Sequence, residues 1–278
     1  FSGGQIIING SFFNSGGKVF DNDGMLENNG TFDNYGTFDN AASATFMNLP
    51  GATFNNFATY RSNGTITNSG TTNNYGTLRT TNSFTNNGVL NIYGNFQSPF
   101  GSTFITPPGA TLAVRTGGVL DLNIPFTNGG SFSNDGTVQL STAVVLTNSS
   151  TIDNNGQFEL AGQLLNNDGF DNSGTLVLND GGRFENNSTL SNTGMIDISI
   201  CGILIQNASG TVSGTINSDG LIYEIGGTVT VTGGDLGRKF SDLSDRKPPV
   251  AGCKPGVFKE LEADGTVSLA ITDVDKGS

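Results

Sequence analysis

This 278-residue chain carries 24 acidic against 12 basic side chains, no histidine, and a charged fraction of only 13%. A net charge of -12 without a basic stripe repels phosphate backbones, so nucleic acid is excluded as a partner. No apolar run approaches the ~20 residues of a transmembrane helix, and without histidine the commonest general base, zinc ligand and Ser-His-Asp arrangement are missing.

From the first residues onward the chain is strand-like, beginning with the apolar run Gln5-Ile6-Ile7-Ile8, which no amphipathic helix precedes. Apolar anchors then recur at multiples of six with occasional steps of eight: Phe32, Phe38, Phe46, Phe54, Ile66, Leu78, Phe84, Leu90 and Phe96. Each belongs to a unit of the form Gly-Thr-Phe-x-Asn-x, as in GTFDNYGTFDN at 30–40. A self-similar unit this short predicts an all-β β-solenoid, expected to be right-handed, with three short strands per coil of 18 to 20 residues. Although 41 glycines and low charge also suit disordered chains, 20 phenylalanines placed in register argue for a packed core.

Alternation along extended chain turns each anchor inward and its polar neighbours outward. Two positions after the anchor stands an asparagine, from Asn14, Asn22 and Asn28 through Asn186 and Asn192. These read as corner residues that tolerate left-handed backbone, followed by a glycine free to adopt positive φ, and stacking would place Asn on Asn in amide ladders. The steps of eight, such as Phe38 to Phe46 to Phe54, insert two residues and so preserve the in/out parity that one residue would reverse. On this phasing residues 1–234 hold roughly 11 coils, about 50 Å long at ~4.8 Å per strand.

Chemistry-bearing motifs along the rod are few. Asn-Asp-Gly at 22–24, 134–136, 167–169 and 179–181 lacks the alternating oxygens of a calcium loop and reads as a corner; Asp273 and Asp275 are the better cation candidates. Carboxylates such as Asp33, Asp39, Asp153 and Glu159 read as solubilising, and no cofactor motif is present. Outward threonines (Thr31, Thr37, Thr45, Thr53, Thr65) raise ice binding, but the second outward position varies between Asp33, Asp39, Met47 and Asn55. Tyr35, Tyr60, Tyr75 and Tyr93 are the candidate sugar platforms for a carbohydrate-binding or polysaccharide-processing alternative. Asn-x-Ser/Thr sequons at Asn9, Asn29, Asn63, Asn148, Asn186, Asn187 and Asn207 are candidate glycosylation sites of a secreted chain.

The rhythm fades after GGTVTVTGG at 226–234. Only Lys18, Arg61, Arg79, Arg115 and Arg183 are basic before residue 235, whereas the other seven basic residues crowd into the remainder. Residues 235–252, with Pro248-Pro249, read as a linker, and 253–278 alternate around Asp264-Gly265 as a short hairpin. Here Pro249, Val250, Ala251, Cys253 and Lys254, with Asp264, Gly265, Asp275, Gly277 and Ser278, resemble the opening half of an immunoglobulin-like repeat in the giant secreted adhesins of gliding, type IX-secreting bacteria. The resemblance covers about a ninth of the chain and stops before the repeat's second cysteine. It leaves two pairings open: Cys201 with Cys253, a closure worth ~4 kcal/mol on the chain-entropy model, or Cys253 with a cysteine beyond Ser278. More loosely, the solenoid resembles Asn/Gly-rich stalks of bacterial adhesins. Together these imply a noncatalytic extracellular protein of the cell surface, a filament subunit or adhesin stalk that self-associates end to end or continues in a longer chain, with surface glycans as further partners.

Overall fold

A computed structural model of the chain describes residues 3–234 and 238–240. The described chain is all-β, a β-solenoid of three parallel sheets with 13, 10 and 12 strands, here called the first, second and third faces. Before the last few strands, every third strand in sequence is a neighbour in space: Gln5–Ile8 pairs with Met25–Asn28, Ser11–Asn14 with Thr31–Asn34, and Val19–Asn22 with Thr37–Asn40. At ~4.8 Å per parallel strand, a stack of a dozen coils is roughly 58 Å long.

Four-residue strands with a period of two explain the register. In Thr31–Asn34 the second and fourth residues are buried and the first and third half-exposed, a pattern repeated in most strands. Anchor therefore sits on anchor, as Phe12 on Phe32 on Phe54, and Phe158 on Leu176 on Ile196. The N-terminal coils hold a continuous aromatic core, with Phe32, Phe38, Phe46, Phe54 and Tyr60 at centroid distances of 4.4 to 6.1 Å. Tyr60 occupies an anchor slot at 1% exposure, stacked on Phe38, so it is no surface sugar platform. Thr72 takes the anchor slot between Phe54 and Leu90, where its hydroxyl donates to Asn68 Oδ1.

Two kinds of corner account for the steps of six and eight. Six-residue steps turn through two residues, whereas eight-residue steps form a four-residue β-turn closed by a backbone hydrogen bond, as Ala52 N–H to Leu49 O and Ala110 N–H to Pro107 O. Gly51 (φ 83°) and Gly109 (φ 85°) follow Pro50 and Pro108, the type II arrangement that needs positive φ at its third residue. The corner from the third face to the first takes such turns at 41–44, 99–102, 141–144, 179–182 and 199–202. Coils of 18 or 20 residues dominate, and the coil from Phe96 to Leu120, with three four-residue turns, is the longest.

The asparagines following the anchors are not left-handed corner residues: the sole non-glycine with positive φ among the described residues is Ala143. They end each strand with an inward side chain, as parity requires two positions after an anchor. Nor does the glycine two residues later need positive φ at Gly30; a Cβ there would come 2.1 Å from the carbonyl oxygen of Gly10 on the preceding coil. Close coil-to-coil approach, rather than handedness of the backbone, selects glycine at that corner.

Toward the C-terminus the even spacing ends. Thr211–Ser218 runs as one eight-residue strand with a register shift at Gly214/Thr215, Val212 pairs with Val229, and the second face stops at Thr189–Asn192. The first face continues to Arg238–Phe240, inside the stretch read from sequence as linker. The chain divides into two units, Phe1–Leu243 and Ser244–Ser278. The second unit, with Cys253, the Asp264-Gly265 hairpin and the Asp273/Asp275 pair, lies outside the described residues.

Candidate binding stripe on the second face

Amide side chains line the corners of the solenoid in two systems, one inside and one outside. Inside, Asn28, Asn48, Asn68 and Asn86 form a ladder at the end of the first face, each Nδ2 donating to the next Oδ1 at 2.8 Å. Asn128, Asn148, Asn166, Asn186 and Gln206 continue it higher up, and Asn14, Asn34, Asn56 and Asn74 build an equivalent ladder on the second face. The second amide hydrogen goes to a backbone carbonyl at the next corner, as Asn48 to Thr71 O at 2.9 Å. Every donor points toward the C-terminus. The third face begins the same way with Asn22, Asn40 and Ser62, then switches to the aliphatic stack Leu122, Leu140, Leu160, Leu178 and Ile198.

Outside, the second face carries a ladder of opposite polarity. Asn55 donates to Asp33 at 2.7 Å, Asn73 to Asn55 and Asn91 to Asn73 at 2.9 Å, and Arg115 donates to Asn91 Oδ1 at 2.8 Å. A carboxylate thus closes one end and a guanidinium the other. Two residues beyond Asp33, Asn55, Asn73 and Asn91, at the corner toward the third face, stands an aromatic ring. Tyr35, Phe57, Tyr75 and Tyr93 stack at 4.4, 4.9 and 4.6 Å with interplanar angles of 4 to 12°, and Phe13 packs on Tyr35 at 4.8 Å. These rings remain 38 to 59% exposed. Partial burial in the stack, and then the neighbouring Tyr93, hold the Tyr75 phenol above the ordinary tyrosine range.

The spacing between rings is that of the coils, so each inner ring has both faces covered and presents only its edge to solvent. Sugar stacking needs a free aromatic face, which disfavours Tyr35 and Tyr75 as carbohydrate platforms. Of the sequence candidates, Tyr35, Tyr75 and Tyr93 do fall in one column. Phe57, which a search for sugar platforms among the tyrosines passes over, completes it, since an aromatic residue follows Asn34, Asn56 and Asn74 alike, and Phe13, which pairs with Asp33 in the adjacent column, packs on its first ring.

Other candidate positions scatter. Asn9, Asn29, Asn63 and Asn187 are exposed at corners and Asn207 is half-buried, whereas Asn148 and Asn186 are fully buried in the inner ladder and closed to glycan attachment. Cys201 is buried in the 199–202 turn, while Cys253, its partner in one of the two expected pairings, lies outside the described residues. The Asn-Asp-Gly runs form corners, and among the described residues no three metal-ligating side chains gather. Comparison with known protein families, with curated proteins and with solved structures finds no match to this chain.

Proposed function

We propose that this chain is a noncatalytic, extracellular structural protein, the rigid rod of a cell-surface stalk or filament. The observation that carries the reading is continuity: as far as Asn192 each coil pairs with the next through three parallel strands, and inner amide ladders tie coil to coil at the corners. Such a stack transmits load along its axis through backbone hydrogen bonds added coil by coil, as in other solenoids. Exposed sequons on the corners and the adhesin-like segment near residue 250 support a surface location. The strands Gln5–Ile8, Ser11–Asn14 and Val19–Asn22 pair on one side only among the described residues, and a further coil, of a longer chain or of a second copy, would continue all three sheets there.

Immunogold electron microscopy of intact source cells tests the reading. Label on external filaments or stalks is expected. Label confined to the cell interior would overturn it.

A further inference from the structure

Among the described residues nothing covers the aromatic stripe and its charges are ordered, which makes its symmetry informative. Counting coils along the second face from Ser11–Asn14, the stripe begins with Lys18 on coil 1 and Asp33 beside Tyr35 on coil 2. Phe57, Tyr75 and Tyr93 follow on coils 3, 4 and 5, then Arg115 on coil 6 and Asp135 on coil 7. Rotation by half a turn about an axis through Tyr75 exchanges coil 1 with coil 7 and coil 2 with coil 6. That single operation sets Lys18 opposite Asp135 and Asp33 opposite Arg115, in both directions at once. It also lays Tyr93 on Phe57 and Tyr75 on its own copy.

Relief agrees with charge. Coils 1 and 6 leave this corner through protruding four-residue turns, 15–18 and 115–118, whereas coils 2 and 7 turn flatly in two residues. The same rotation places each protrusion on a flat corner. Lys18 is exposed, and Arg115 and Asp135, 4.0 Å apart, keep 40% and 35% of their side-chain surface open. Self-complementarity under a two-fold axis is what an isologous interface requires, and aromatic side chains with a charged rim are its usual composition.

We infer that the aromatic stripe from Phe13 to Tyr93 is a lateral docking surface for a second copy of this chain, the two rods antiparallel and related by a two-fold axis at Tyr75. Stalks joined this way pair side by side, independently of any end-to-end growth.

A charge-swap experiment on the full 278-residue chain, read by sedimentation velocity across a concentration series, tests the pairing. Wild type is expected to dimerise more tightly in about 50 mM than in about 500 mM salt, since rim charges are screened. Arg115→Glu and Asp33→Arg should each weaken association about tenfold or more by placing like charges opposite each other. An equimolar mixture of the two variants should recover the wild-type dimer. In that heterodimer the two substituted side chains face each other with opposite charge, and the native Asp33 of one chain still faces the native Arg115 of the other. Tyr75→Ser, which leaves all charges in place, should abolish dimers in every background. Circular dichroism of each variant checks folding. A wild-type monomer up to about 100 µM overturns the inference, even should the stripe bind a glycan instead. So does a dimer indifferent to these changes, a failure of the mixture to recover, or growth by end-to-end addition alone.

Discussion

Two residues mark where the repeat departs from its own rules, and each departure has a measurable cost. Ala143 occupies the third position of the 141–144 turn with φ 64°, the place that Gly51 and Gly109 fill elsewhere. A left-handed alanine costs roughly 1–2 kcal/mol, partly offset on substitution by the extra chain entropy of glycine. Ala143→Gly should therefore stabilise the protein by about 0.5–1 kcal/mol, seen as a higher urea midpoint at unchanged slope. Thr106 interrupts the inner ladder of the first face between Asn86 and Asn128, leaving its own hydroxyl and Asn128 Oδ1 buried without hydrogen bonds. In Thr106→Asn, the new amide can donate to Asn128 and accept from Asn86, joining two ladders into one. A gain of about 1 kcal/mol is expected in the same measurement, and a loss would show that the corner cannot hold an amide there.

At the scale of the strand and its corner, parity governs what the fold tolerates. Asn34 is followed by a two-residue corner, while the equivalent corners at 15–18 and 115–118 hold four. Inserting Pro-Gly after Tyr35 should preserve the fold because the resulting Tyr-Pro-Gly-Gly corner has the Pro-Gly order of the natural four-residue turns. A single inserted glycine turns the next strand's core outward and should destabilise by several kcal/mol, as thermal unfolding of the two insertions would show. Phe158, fully buried on Val138 and Leu176, should cost about 3–5 kcal/mol as Phe158→Ala, and a loss under ~1 kcal/mol would show the register to be otherwise. Strand positions and anchor stacking are legible in the sequence because a period of two and steps of six admit one phasing. The depth of the asparagines is legible in principle, since the anchor plus two faces inward, yet the preference of asparagine for turns obscures it. Tyr60 misleads for a similar reason: its hydroxyl suggests surface, whereas its spacing from Phe54 marks it as an anchor. The stripe is harder to see, because it depends on which coil each residue joins, and two-residue insertions scattered over three corners shift that assignment.

For the whole molecule, polarity is divided by direction as well as by place. Inner amides donate toward the C-terminus and the outer ladder of the second face toward the N-terminus, so the coils are bound by opposed sets of side-chain dipoles in addition to their backbone pairing. Asp39 and Arg61 form a bidentate pair on the third face, while on the second face Asp33 and Arg115 stand at the two ends of the aromatic stripe and Asp153 and Asp171 lie beyond it. A rod built in this way has a polar interior at its corners, which separates it from one held by apolar anchors alone. Hydrogen exchange of asparagine side-chain amides, followed by NMR, tests that claim most directly. Nδ2 hydrogens of Asn48, Asn148 and Asn166 should exchange orders of magnitude more slowly than those of exposed Asn29 and Asn187, approaching the rate of global unfolding. Uniformly fast exchange across all of these amides would contradict the account.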